Sequence, residues 1–343
     1  MSVQSGDPKV SVIVPLFNVE GYVEAMVQSL KRQSLSDFEV VMVDDGSSDG
    51  TFDAISRLIE GDSRFCVVRQ ENKGPASARN RALECARGRY IAFLDADDSF
   101  ADDALARLYE TAQAEDLDYL DFSARTIYED ERMRAVRDES FYEGRKSIPG
   151  VMSGPELFCA FQRNREYVCA LWLHFVRRDL IDFAGLRLRD GMYVHEDELF
   201  SPQLIAHAKR AMFLNEPLYL RRVRPGSMMT SGSSIRSVAS MHDAAQGLYG
   251  WMREHGEEFD SVFRAAIAQR IAELRELAAE EARSIPMDEL VAYSESLTPA
   301  EQLDFELSVV QGMVRRAEFY GSTTWRVGEA ILAVPRAIRA MWD

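Results

Sequence analysis

Short apolar runs alternate with stretches whose apolar residues recur every three or four positions along the first hundred residues. Val10-Ser11-Val12-Ile13-Val14 closes on Pro15 and reads as a buried strand entering a loop. Val23, Met26, Val27 and Leu30 follow at helical spacing. A second run, Val40 to Val43, breaks into DDGSSDGT, which is turn chemistry leading to a helix start near Thr51. Phe52, Ile55, Leu58 and Ile59 continue that helix. Phe65 to Val68 supplies a third strand, Ala76 to Ala86 a helix rich in alanine and arginine, and Tyr90 to Leu94 a fourth strand. The order β-α-β-α-β-α-β predicts an α/β fold with a mostly parallel sheet flanked by helices. Ligands then sit outside the carboxyl ends of the strands, where the polar loops 15–21, 44–50 and 95–99 fall.

After about Ser231 the pattern turns helical, giving two regions: an α/β domain over 1–231 and a helical region over 232–343. Ala265 to Ala282 is a long helical stretch, and Thr298-Pro299-Ala300-Glu301 reads as N-cap, first-turn proline and capping-box acid, with Gly321 at a helix end. Residues 323–343 form an amphipathic segment that sets Trp325, Ile331, Leu332, Ile338, Met341 and Trp342 among Arg326, Arg336 and Arg339, interrupted by Pro335. Such a segment lies on a membrane surface or packs on the protein or a second copy of it, and periodicity does not choose.

Composition is ordinary for a globular protein, with 46% apolar and 28% charged residues in 343. The net charge of −16 argues against nucleic acid as a partner over the whole surface. Cys66, Cys85, Cys159 and Cys169 form neither a C-x-x-C pair nor a dense framework, so reduced thiols in a cytoplasm are expected. No leader or membrane span is read from the sequence, which predicts a cytoplasmic protein, soluble or peripheral at the inner face of the cell membrane.

The most distinctive chemistry is DADD, Asp95 to Asp98, at the end of the fourth strand. Clustered carboxylates oppose one another unless a cation offsets the repulsion, and Mg²⁺ or Mn²⁺ prefers such hard oxygens. The same residues also suit the cap of a helix beginning near Asp102. Neither G-x-G-x-x-G nor G-x-x-x-x-G-K-[ST] follows the first strand, which weakens dehydrogenase and P-loop readings. The ring of Phe17 and the acids Asp44 and Asp45 instead suit a nucleobase, by stacking and by accepting its N–H; a loop anchor and turn bonding are their plain alternatives.

Six ordered motifs carry a resemblance: VSVIVPLFN (Val10 to Asn18), VDDGSSDGT (Val43 to Thr51), ENKGPASARNRAL (Glu71 to Leu83), GRYIAFLDADD (Gly88 to Asp98), HEDELF (His195 to Phe200) and RPGSMMTS (Arg224 to Ser231). Over roughly Val10 to Ser231 the chain resembles a family-2 glycosyltransferase of the GT-A, Rossmann-like fold, with a C-terminal helical extension. The resemblance implies an inverting hexosyl- or N-acetylhexosaminyl-type transfer from a nucleotide-sugar, a UDP-sugar by expectation, to a saccharide or lipid-linked saccharide acceptor in surface polysaccharide or glycolipid assembly.

It also implies roles. Pro15, Phe17 and Asp45 line the base pocket with Asp44 in support, Lys73 and Arg79 lie near the diphosphate, and Asp95 lies near ribose. Asp97 and Asp98 are the candidate ligands of Mn²⁺ or Mg²⁺, with Asp97 favoured. Arg222, Arg224 and Ser227 belong to a segment that closes over the nucleotide, next to Arg221. Asp197 is the candidate general base and Glu196 orients it or the acceptor. Trp172 and His195 are assigned to the acceptor side, with a buried core ring as the equal alternative for Trp172 and phosphate or metal as a further partner for His195. One departure stands out, because Leu173 and His174 follow Trp172 where relatives usually carry Asn-Lys. A nucleotidyltransferase is disfavoured, since PLFNVEG is not a glycine- and basic-rich loop, and the remaining alternative is a catalytically silent sugar-nucleotide-binding scaffold. Helical tails of this kind also allow a homodimer.

Overall fold

The computed structural model describes residues 6–136, 138–227 and 233–310. The chain divides into two compact units, residues 1–231 with 254–267 and residues 232–253 with 268–343. In the first unit β1 (Val10–Leu16), α1 (Val23–Lys31), β2 (Phe38–Asp44), α2 (Thr51–Leu58), β3 (Phe65–Arg69), α3 (Pro75–Cys85) and β4 (Tyr90–Phe93) follow the predicted alternation. Then come β5 (Ser99–Phe100), α4 (Ala104–Ala114), β6 (Tyr119–Tyr128), α5 (Glu131–Val136), α6 (Gly154–Asn164), β7 (His174–Arg177), α7 (Arg178–Phe183), α8 (Glu196–His207) and β8 (Ala211–Val223).

The strands form one mixed sheet in the order β3-β2-β1-β4-β7-β6-β8-β5. The first four are parallel, as continuous Val/Ile runs buried on both faces require. Beyond β4 the pairing turns mixed: β7 runs antiparallel to β4 and β6, β8 parallel to β6, and β5 antiparallel to β8. Gly88 allows β4 to start against β1, since a Cβ there would lie 2.3 Å from the Ser11 amide nitrogen. The core lies between β1, β2 and β4 and helices α1 and α4, with Val12, Val14, Met26, Leu30, Val40 and Leu105 fully buried.

The DADD residues do not cap a helix. Ser99 and Phe100 pair with β8, and α4 begins only at Ala104, so the acids lie in a loop between two strands of the sheet.

The second unit carries most of α9 (Ile235–His255) and α10 (Ser261–Ala282), with α11 (Met287–Ser296) and α12 (Pro299–Phe305). Thr298 and Glu301 form the reciprocal capping box read from the sequence. Asp304 on α12 ties to Arg275 at 3.0 Å and to His242 at 3.1 Å. Gly321 and the segment 323–343 lie outside the described residues. Among those described, no helix is long and apolar enough to cross a membrane.

Candidate active site

The loops after β1 and β2 are laced together. The Asn18 amide donates to Ser47 Oγ at 3.0 Å, the Ser48 amide to Asn18 Oδ1 at 2.9 Å, and the Val19 amide to Thr51 Oγ1 at 2.9 Å. The ring of Phe17 is half exposed, two positions after half-buried Pro15. Gly46, at φ 73°, makes the turn that brings residue 72 close.

Asp44, which ends β2, and Asp45, which follows it, have different partners. Asp45 is consumed as a loop clamp: Oδ1 accepts from Gln70 Nε2 at 2.8 Å and the Lys73 amide at 2.9 Å, and Oδ2 from the Gly74 amide at 2.8 Å. Asp44, fully buried, meets Arg69 Nε at 3.0 Å, yet its oxygens accept no hydrogen bond among the described residues. Asp44 is therefore the acid left with accepting capacity, and Asp45 supports it by holding the 70–74 loop. Lys73 lies exposed on that loop.

The DADD acids point in three directions. Asp95, a third exposed, accepts from Arg79 Nη2 at 2.8 Å, and its amide donates to Tyr219 Oη at 3.1 Å. Asp97 accepts from Arg224 Nε at 2.8 Å, and its carbonyl from Arg222 Nε at 3.0 Å. Asp98 is 1% exposed, with Oδ2 accepting from Tyr219 Oη at 2.8 Å and Oδ1 from the Arg222 amide at 2.6 Å. Burial pushes its carboxyl up to about 8, with nearby Asp97 and Asp95 adding to the rise and Arg221 opposing it. Asp98 thus spends its oxygens joining β8 to the loop.

Arg79 is buried at 8% exposure. Its guanidinium is buried between Asp95 and Glu196, to which Nη1 donates. Burial acts against its charge, but the two carboxylates and Asp197 outweigh it, so its pKa is raised and it stays cationic. Through this residue the end of β4 meets the start of α8. There His195 adopts a left-handed backbone, φ 59°, immediately before Glu196 and Asp197. Asp197 is half-buried, and desolvation together with Glu196 and Glu198 pushes it up to about 8, against the pull of Arg79 and of a hydrogen bond from Cys169.

At the end of β8 Arg222 and Arg224 reach Asp97. The guanidinium of Arg224 lies 4.4 Å from the Tyr22 ring centre and that of Arg222 6.0 Å from it. Ser227 is the last described residue of this segment, and the rest of RPGSMMTS lies outside the described residues. Trp172 is buried: at 7% exposure it stacks on Tyr219 at 4.6 Å and meets Tyr142 edge-on at 5.1 Å. It packs as a core ring.

Sequence reasoning missed Tyr219, which holds both Asp95 and Asp98, and Gln70, which holds Asp45. Tyr219 carried a faint signal, as the aromatic residue in the strand leading to the arginines; Gln70 carried none.

Residues 11–167 match the model of glycosyl transferase family 2. The uncharacterized glycosyltransferase EpsJ of Bacillus subtilis is 33% identical over 229 residues, 64% of this chain and 63% of that protein. The chain thus spans a little under two thirds of the length of the curated relatives it matches first. Staphylococcus aureus TarS 1-349, solved with UDP-GlcNAc, superposes with a TM-score of 0.61 at 20% identity, over 89% of this chain and 80% of that one. The mannosyltransferase PcManGT from Pyrobaculum calidifontis, solved with GDP-Man and Mn²⁺, gives 0.55 at 18%, over 91% and 87%. The parallel half-sheet and the DADD loop fall almost wholly within the matched residues, so the similarity to glycosyl transferase family 2 is carried by the segment 11–167.

Proposed function

We propose that the protein is a metal-dependent inverting glycosyltransferase that moves a sugar from a nucleotide-sugar, a UDP-sugar in the first instance, to an acceptor hydroxyl. The observation that carries this is the buried Arg79, which holds the donor-side acid Asp95 and the α8 acid Glu196 in one site, with Asp197 next in the chain. A site for group transfer needs both ends of the reaction within one cleft.

Among the described residues no three metal-ligating side chains converge. Mg²⁺ or Mn²⁺ is commonly held by one or two carboxylates together with substrate phosphates, a mode that needs no such cluster. Asp97 is the residue that would hold it, with Asp95 alongside, while Asp98 is committed to Tyr219 and Arg222. When bound, the cation stabilises the negative charge developing on the leaving diphosphate.

The chain's own residues do the rest. Phe17 offers a ring for the base, and Asp44 accepts its N–H. Arg222 and Arg224 cover the diphosphate, with Lys73 at the loop edge and Ser227 following, and keep water from the donor. Asp197 takes the proton of the acceptor hydroxyl on the face opposite the leaving group, worth roughly 10²–10⁴-fold in rate. Glu196, locked to Arg79, fixes its orientation, and His195 borders the acceptor.

The UDP preference draws on the TarS complex, and the family relation supports an acceptor in polysaccharide or glycolipid assembly at the inner face of the membrane. Nucleoside diphosphate release from a panel of UDP- and GDP-sugars, with Mn²⁺ or with chelator, tests the reading. Turnover of at least one donor that is lost with chelator is expected. Binding of donors with no hydrolysis or transfer under any condition would instead identify a silent scaffold.

A further inference from the structure

Behind the first turn of α8 lies a buried polar network that the transfer scheme does not use. His174, fully buried at the start of β7, sits at its centre. Its Nδ1 lies 2.7 Å from Tyr119 Oη and 3.4 Å from Asp121 Oδ2, and its Nε2 lies 2.9 Å from Ser201 Oγ and 3.2 Å from the Cys169 carbonyl oxygen. Ser201 Oγ donates its one hydrogen to that same carbonyl at 2.6 Å. Ser201 can therefore meet His174 only as an acceptor, which fixes a proton on Nε2. On the far side Asp121 is matched by Arg145 at 2.7 Å, with both side chains 1% exposed. Arg145 is itself fastened to the carbonyls of Phe122 at 3.0 Å and Glu166 at 3.2 Å. The imidazole is thus held from behind by an immobile ion pair and a phenol.

Both groups that Nε2 meets lead to Asp197. Ser201 lies one helical turn after it on α8. The residue whose carbonyl Nε2 meets, Cys169, donates its thiol to the Asp197 carboxylate. The start of α8 has no side-chain cap bond and leaves from a left-handed residue, so its orientation depends on the Arg79–Glu196 pair at its first residue and on anchors one turn further along. We propose that His174 is the positioning residue of the acceptor-side acid, clamping α8 and the Cys169 segment together so that Asp197 keeps one orientation toward the cleft. The clamp rests on the reading of Asp197 as the base; the geometry that defines it does not.

The groups facing Asp197 are Glu196, Glu198, Arg79 and Cys169. Three variants of the full chain test the clamp. His174→Leu removes the ring's hydrogen bonds, His174→Gln keeps an N–H donor where Nε2 stood, and Ser201→Ala removes a single oxygen. The leucine and alanine variants are expected to lose roughly 10- to 100-fold in kcat with donor KM within about twofold, because a misplaced catalytic group costs rate more than binding. Their acid limb in the pH profile should move, and glutamine should recover most of the loss. Alkylation of Cys169 by iodoacetamide, followed at the peptide level, should accelerate in the leucine and alanine variants and not in the glutamine variant. Wild-type kcat, acid limb and alkylation rate in a folded leucine or alanine variant would overturn the proposal, as would glutamine performing no better than leucine. If the leucine variant does not fold, Ser201→Ala decides alone. Should Asp197→Asn keep wild-type turnover, the base assignment fails, while the alkylation comparison still reports on the clamp.

Discussion

Arg79 and Glu196, 117 positions apart, form a buried ion pair that joins the helix after β3 to the first residue of α8. The other arm of the same guanidinium holds Asp95, so one side chain sets the distance between the donor-side and acceptor-side acids. Removing one partner of such a pair leaves carboxylates buried without compensation, at a cost of about 3–5 kcal/mol. Arg79→Ala is therefore expected to lower the denaturant midpoint strongly. Arg79→Lys, which keeps charge but not the fork, should fold and lose kcat by at least tenfold. Equal kcat in the lysine variant would show that the two-sided geometry is dispensable.

Asp197 gives the pH dependence. Its carboxyl is raised from an ordinary value of 3.8 to about 8, mainly by burial and then by Glu196 and Glu198. A base works only when ionised, so turnover should rise about tenfold per pH unit below about 8 and level off above it. Folding stability runs the other way. The folded state keeps a proton that the unfolded chain releases near pH 4, so this group's contribution is full below that and is lost as pH rises through about 8. Asp197→Asn should abolish the limb and the transfer while retaining nucleotide binding; a limb of unchanged position in that variant assigns it to another group.

Legibility of the chain followed the range of each interaction. The parallel half of the sheet was readable because Val10–Leu16 and Phe38–Asp44 are buried on both faces and end in turn residues. The mixed half was not, since the pairing of β6 with β8 and β7 depends on partners more than 50 residues away that no local period encodes. The acids of the site were legible as residues, but their division of labour was not. Asp97 and Asp98 differ only in which neighbour turns toward them, and Asp44 and Asp45 only in which one the 70–74 loop reaches.

That difference within DADD is itself testable. Asp97→Asn leaves the fold intact, since Asp97 is partly exposed and tied mainly to Arg224, and is expected to lose most of the response of turnover to Mn²⁺. Asp98→Asn replaces one of the two oxygens that accept from Tyr219 and the Arg222 amide by an NH₂ group, leaving a buried donor without its acceptor, so it should lower stability by about 1–3 kcal/mol. Mn²⁺ titration in the presence of UDP and a thermal melt separate the two. Metal affinity lost in the Asp98 variant at unchanged stability would return Asp98 to the metal.

Trp172 supplies the last case, because a core ring and a sugar platform fail differently when cut back. Its indole is stacked on Tyr219, whose hydroxyl accepts from the Asp95 amide and donates to Asp98, and the Arg221 guanidinium lies 5.6 Å from its ring centre. Truncation to alanine opens a cavity beneath Tyr219 and is expected to cost about 3–5 kcal/mol, with a melting temperature roughly 10 °C lower. Because Tyr219 then loses its support at Asp95, nucleotide affinity should fall along with stability. Trp172→Phe keeps a ring against Tyr219 and should retain most of both. A platform for the acceptor predicts the opposite pattern: unchanged melting, unchanged nucleotide binding and a raised KM for the acceptor alone, in the phenylalanine and alanine variants alike.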